Sequence, residues 1–203
     1  MPKIRTDRLE QHEAAVWADL TRGLELLLAE RSYDEITIAD IAAGAGMARN
    51  TLYNYARDKA TLVALAAERA SEELLGSVRL RAAERGSAAD RLRVVNVTIL
   101  NWFASAEHRR LVLHALFGTS PSIVRQRGSA PLERIAPVVI GLVKEGIAEG
   151  RFRAMADVAL TVEFMAGVIH YAALRLLHDP DMVEPVIAEV NRFMLSALGD
   201  ADG

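Results

Sequence analysis

Almost every segment of this chain spaces its apolar residues at three and four, and no stretch alternates them convincingly at two. That spacing stacks hydrophobic side chains along one face of a helix, so the fold it predicts is all-α. Ala, Leu, Glu and Arg dominate these stretches, and no repeat of fixed period runs through them.

The 203 residues allow one or two domains, and 51% hydrophobic residues suffice for a packed core rather than a disordered chain. With no cysteine, disulfides, thiolate nucleophiles and cysteine-ligated metals are excluded. A net charge of −3 offers no general attraction to nucleic acid, so any such role must rest on local residues. The opening MPKIRTDRLEQHEAA carries alternating charge where a signal peptide needs an apolar stretch. The most membrane-like run, 158–177, is interrupted by Glu163, His170 and Arg175 and reads as a buried helix. A cytoplasmic protein with no membrane partner is expected. The Asn96-Val97-Thr98 triplet matches a glycosylation acceptor but sits in a helical pattern and is read as chance.

The helices predicted are 7–31, 38–45, 48–55, 58–85, 87–105, 107–117, 121–127, 130–149, 156–178 and 183–198. Asp7 with Glu10, Thr37 with Asp40, and Ser87 with Asp90 have the three-residue spacing of capping boxes. Ser120 before Pro121 suits a helix start, and Pro137 suits a kink. Gly86, Gly118, Gly128, Gly150 and Gly199 follow periodic stretches, as C-terminal caps do. Short, closely spaced helices fill the first part and long aliphatic ones the rest. The expected domains are 1–57 and 58–203, joined rigidly by helix 58–85.

The most informative stretch is 37–62, TIADIAAGAGMARNTLYNYARDKATL. Counting from Ile38, Ile41 is apolar at position four, Ala42 small at five, Gly46 at nine, Leu52 apolar at fifteen and Tyr55 at eighteen. Two steeply crossed helices touch near position five, where only a small side chain fits, and their turn needs a positive φ. A generic helical hairpin would satisfy the same spacing. The outward residues favour a helix-turn-helix: Arg49, Asn50, Thr51, Tyr53 and Asn54 are an arginine, amides and hydroxyls rather than a Glu/Lys surface. Residues 1–60 are not basic overall, with eight Lys/Arg and ten Asp/Glu. Positive charge is local, at Lys3, Arg5 and Arg8 and at Arg49, Arg57 and Lys59. The first three are read as a solvated terminus, with a minor-groove arm as the alternative.

Residues 7–62 resemble the N-terminal domain of the TetR/AcrR family of transcriptional regulators. The matching elements are Tyr33, Thr37, Ile41-Ala42, Ala45-Gly46, Thr51-Leu52-Tyr53, Tyr55, and Lys59 with Leu62. The resemblance implies phosphate contacts from Thr37, Tyr53, Tyr55 and Lys59, with Arg49, Asn50 and Thr51 nearest the bases. Three positions depart from the family pattern: Ala48 where a capping Ser is usual, Asn50 for a frequent Gly, and Ala56 for a frequent Phe. The resemblance also implies a homodimer on double-stranded DNA of two-fold symmetry, built through the last two helices.

Within the second part, Val186, Val190, Phe193 and Ala197 form one apolar stripe of the last helix, beside a second of Ile187, Met194 and Leu198. One stripe suits the subunit core and the other a partner. Ala166 and Gly167 permit close helix approach. A larger monomeric core is the alternative. An effector pocket is expected from Trp102, Phe103, His114, Phe117, Phe164, Met165, His170 and Tyr171, although any one such residue is more often ordinary core than a pocket wall. The ligand expected is small and largely apolar, with one hydrogen-bonding group. No catalytic constellation, phosphate loop, cofactor motif or metal motif appears in the sequence. The expected function is a ligand-responsive DNA-binding regulator, most simply a repressor. The competing reading is a helical ligand-binding or scaffold protein with weakened DNA binding.

Overall fold

A computed structural model describes the backbone of residues 2–117 and 130–199, and side chains of 11–115 and 134–199. Its elements are α1 (Pro2–Glu30), a 3-10 turn (Tyr33–Glu35), α2 (Ile38–Gly44), α3 (Arg49–Leu52), α4 (Lys59–Ala70), α5 (Glu72–Ala82), α6 (Ala88–Ser105) and α7 (Arg109–Phe117). After these come α8 (Ala130–Ala148), α9 (Val158–His178), a second 3-10 turn (Pro180–Met182) and α10 (Val183–Leu198). Among the described residues there is no strand, so the all-α expectation holds.

Several predicted boundaries move. The first helix already runs from Pro2, which puts Asp7 inside it rather than at a cap. Helix 58–85 is interrupted at Ser71, whose hydroxyl donates to the Glu68 carbonyl at 2.9 Å and competes with the helical ladder. Pro137 lies inside a continuous α8. Helix 121–127, with Gly118, Gly128 and Ser120-Pro121, falls outside the described residues.

Packing divides the chain into two compact units, at a place other than the expected 57/58 boundary. The first joins the residues up to Ser71 with the segment that begins at Arg110. The second joins Glu72–Arg109 with the chain from Ala130 onward.

In the first unit, Leu20, Leu24, Ile41, Leu52 and Leu62 are almost wholly buried, and α7 adds Leu111 and Ala115 to the same core. The tightest crossing is α1 on the end of α2. A Cβ on Gly23 would lie 2.9 Å from the Gly44 carbonyl carbon and 3.0 Å from its oxygen. Glu25, also on α1, is buried, and its carboxylate accepts the backbone N–H groups of Arg110 at 3.1 Å and Leu111 at 2.8 Å. It thereby serves as a cap for α7 supplied by another helix.

In the second unit, α6 is the central rod, packed by α5, α8, α9 and α10. Leu92, Val95, Ile99, Leu100 and Phe103 line its buried side. Asn96 lies among them and donates to the Asn191 side-chain oxygen at 2.9 Å, so the glycosylation-like triplet has its asparagine inside the fold. Arg91 ties the start of α6 to Glu145 of α8 and to the Ala82 carbonyl.

Helix α9 is long and apolar enough to cross a membrane by length and composition, with a mean hydropathy of 1.4. It is not buried on most sides as its sequence predicts. Val162, Met165, Ala172, Ala173 and Leu176 face the core, whereas Leu160, Phe164, Tyr171 and Leu174 are exposed.

Candidate nucleic-acid interface

The interface is built from the end of α1 to the start of α4. At its entry, Thr37 caps α2: its hydroxyl oxygen accepts the Asp40 N–H at 3.2 Å, and Asp40 accepts both the Thr37 N–H and hydroxyl. These bonds hold the Asp40 carboxyl below the usual carboxylate range, the Thr37 hydroxyl contributing most. The first turn of α2 is therefore set by the sequence pair expected to set it. Ile41 and Ala42 point into the core, and the chain reverses at Gly46, whose φ of +65° is the left-handed conformation foreseen there. The turn closes through Met47 N–H on the Ala42 carbonyl at 2.8 Å.

The recognition helix follows. Ala48 is its N-cap and has no side-chain cap bond, as the replacement of serine implies. Only Arg49–Leu52 is α-helical, shorter than the predicted 48–55, and the chain then continues as turns to Tyr55. Leu52 is 1% exposed and anchors the helix in the core of the first unit, where Ala56 is buried too. Arg49, Asn50, Tyr53 and Asn54 are exposed and Thr51 is half-buried. One face is thus fixed to the core, and the opposite face presents a cation, two amides and a phenol.

Three other residues expected at phosphates have partners within the unit. The Thr37 hydroxyl proton is given to Asp40. Tyr55 is half-buried, edge-on to Trp17 with ring centroids 5.7 Å apart, and Arg69 lies over the Trp17 ring at 4.0 Å. Lys59 turns inward: its ammonium donates to the carbonyls of Tyr33 at 2.7 Å and Ile36 at 2.8 Å and sits 4.0 Å from the Tyr33 ring centre. Burial lowers the Lys59 pKa, with Asp34 pulling the other way, and burial with Asp58 and Asp34 raises that of Tyr33. Asp58 caps α4 by accepting the Thr61 N–H at 2.7 Å, which lowers its pKa.

Of the pocket candidates, His114 belongs to the first unit, stacked on Tyr33 with centroids 4.6 Å apart and planes 26° from parallel. Its sequence neighbours Leu111 and Ala115 are core residues, so the apolar face that suggested a pocket is this packing. In the second unit Phe103 is fully buried, with half-buried Trp102 edge-on to it at 5.0 Å. Met165 is buried and His170 half-buried, its pKa lowered by that burial. The Phe117 side chain lies outside the described residues.

Phe164 and Tyr171 are 71% and 76% exposed and line a groove of about 500 Å³ between α9 and α10. The same groove is lined by Gly167, Val186, Val190 and Phe193, four of the residues assigned to a partner contact. Ala166 is half-buried and Ala197 exposed. The structure thus gathers two supposed pocket aromatics with the contact stripe, while Ile187, Met194 and Leu198 face the core. Sequence reasoning marked Tyr33 through the family pattern but missed Gly23 and Glu25 as fixed points of the interface. Their partners are on other helices, and no local pattern marks them. Among the described residues no group of side chains could hold a metal ion.

An all-helical chain opening with three short-spaced helices, the third exposed on one face after a glycine turn, defines the helix-turn-helix class of regulators. Residues 22–66 match the family model described as bacterial regulatory proteins, tetR family, so this N-terminal segment is similar to that family's DNA-binding domain. Curated proteins yield no match to it. Among solved structures it is similar to the transcriptional regulator FadR from Bacillus subtilis in complex with stearoyl-CoA, at 19% identity over 86% of this chain and 97% of that one, TM-score 0.71. It is similar to the TetR family regulator PfmR from Thermus thermophilus, at 19% identity over 87% and 97%, TM-score 0.69. A TetR-family regulator from Rhodococcus sp. aligns at 15% identity over 90% and 98%, TM-score 0.73. At these identities the likeness is one of fold, and it extends over both parts of the chain.

Proposed function

We propose that this protein is a cytoplasmic, ligand-responsive repressor that binds a two-fold operator as a homodimer, and that it is not an enzyme. The observation that carries this reading is the recognition helix: Leu52 is locked in the core while Arg49, Asn50, Tyr53 and Asn54 project to solvent from its other side. A short helix with such side chains fits a major groove about 12 Å wide. Arg49 and Asn50 are assigned to base edges, Asn50 with an amide able to read adenine, and Thr51 and Tyr53 to the groove wall. The domain assignment is residues 1–57 for DNA and 58–203 for effector and dimer, with α7 packed among the former.

Dimerisation is assigned to the open face of α9 and α10. An exposed strip carrying Phe164, Tyr171 and Phe193 is the kind of surface a partner covers. Arg175 and Glu189 flank the groove, so a two-fold copy can set opposite charges against each other. The effector is assigned to the second unit, near Trp102, Met165 and His170, as a largely apolar molecule with one hydrogen-bonding group. That stearoyl-CoA occupies a protein of the same fold supports this ligand class. Binding releases DNA only if the ligand prefers the unbound form.

A ligand-binding protein with weakened DNA binding remains the second reading, favoured by the uncapped start of the four-residue recognition helix. Selection of bound fragments from a random DNA library decides between them. The repressor reading requires a symmetric motif whose affinity falls steeply with salt. Recovery of no motif at low salt overturns it.

A further inference from the structure

The segment just before α2 is held by a three-layer column. Lys59 donates to the carbonyls of Tyr33 and Ile36, at the two ends of the 3-10 turn, and its ammonium lies over the Tyr33 ring. The imidazole of His114 stacks on the same ring. A stacked ring covers the face it lies on, so the ammonium takes the other. The column joins the head of α4, the turn that leads into Thr37, and α7, which Glu25 of α1 caps at its start. We propose that His114 is a positioning residue for DNA recognition: by backing Tyr33 it sets the Lys59-bound turn from which α2 and the recognition helix are hung. This rests on the DNA-binding reading and adds to it a residue that touches no DNA. It also makes Lys59 part of the framework rather than a phosphate contact.

Charge decides what the column tolerates. The groups facing it are Tyr33 and Asp34 of the turn and Lys59 of α4, while Glu25 and Arg110 pair with each other at the head of α7. Burial lowers the His114 pKa and Lys59 lowers it further, against the opposing pull of Asp34. The folded unit therefore holds His114 neutral near pH 7, and protonation sets a second cation against a ring already carrying one. A group with a lowered basic pKa stabilises the fold above its unfolded value, and that contribution fades as pH falls below it.

The test uses the full chain, a selected operator fragment, and the variants His114→Phe, which keeps a stacked ring that cannot protonate, and His114→Ala. At pH 7.5 we expect His114→Ala to bind about tenfold more weakly, the size of effect of a residue acting through its neighbours, with the salt slope unchanged. His114→Phe should bind like the parent at pH 7.5 and lose less affinity than the parent as the pH is lowered. Hydrogen exchange of the DNA-free chain reads positioning separately: His114→Ala should accelerate exchange at Ile36 and Met47 while leaving the α6 amides alone. If His114→Ala shows parental exchange at those amides, the proposal is overturned, whether or not DNA binds. It is also overturned if Lys59→Met lowers the salt slope by about one, as loss of a phosphate contact does. A parent chain that binds no DNA, with altered exchange in His114→Ala, sinks the repressor reading and leaves the column standing.

Discussion

Gly23 has no room for a side chain, and its neighbour is backbone. A methyl there would press on the Gly44 carbonyl, which cannot rotate away as a side chain can. Gly23→Ala must therefore part α1 from α2, and overpacking of this sort costs about 1–3 kcal/mol. Urea unfolding should show a lower midpoint; an unchanged midpoint would mean the two helices separate freely. Glu25 has an opposite logic. Its carboxylate satisfies two N–H groups at the head of α7 that have no partner within that helix. Glu25→Ala leaves the buried Leu111 donor and the half-buried Arg110 donor without that acceptor, and hydrogen bonds to a charged group contribute about 1.5–3 kcal/mol. Thermal unfolding should register that loss, whereas Glu25→Gln, which keeps an acceptor, should recover part of it.

At the level of elements, caps decide where helices start, and they mark what the sequence shows well. Thr37 with Asp40 and Ser87 with Asp90 lie three residues apart, so the bonds between them are local and readable. The turn at Gly46 and the anchors Ile41, Ala42 and Leu52 are readable for the same reason. What is not readable is non-local. The inward turn of Lys59 comes from two carbonyls 23 and 26 residues upstream, whereas the break at Ser71 involves a local bond to Glu68 that a serine makes without always ending a helix. His114 fits a pocket pattern and a packing pattern equally, and only the neighbour Tyr33 separates them. Two outcomes follow for the caps. Ala48→Ser supplies the acceptor that the recognition helix lacks and should add about 1 kcal/mol by urea midpoint. Asp58, with its pKa lowered chiefly by the Thr61 N–H, stabilises α4 above the usual carboxylate range, and this contribution fades as pH falls through its lowered value. Asp58→Ala should then lower the melting temperature at pH 7 but leave it near the parent's at pH 2; equal losses at both would exclude the charge as the cause.

For the whole molecule, the balance lies between the apolar face of α9 and α10 and the sparse positive charge of the recognition region. A single copy offers Arg49 and Arg57 as exposed cations there, and Arg57 is within 3.3 Å of Asp58. So few phosphate contacts give weak binding, because each neutralised phosphate contributes about one unit to the slope of affinity against salt. Two copies held rigidly double the contacts and make the second engagement intramolecular. On the proposed pairing, the exposed aromatics of α9 and α10 would matter to DNA although they lie outside the DNA-binding unit. Phe193 tests this directly. It is 54% exposed, so an acidic replacement costs the single copy little, but in a two-fold interface it would be buried uncompensated in both copies. Phe193→Asp should sediment as a monomer with parental helicity by circular dichroism. Its operator affinity should collapse and its salt slope fall to about half, as expected when half the phosphate contacts are lost. If the variant is monomeric yet binds DNA with the parental slope, each copy reads its half-site alone, and the apolar groove serves something other than pairing.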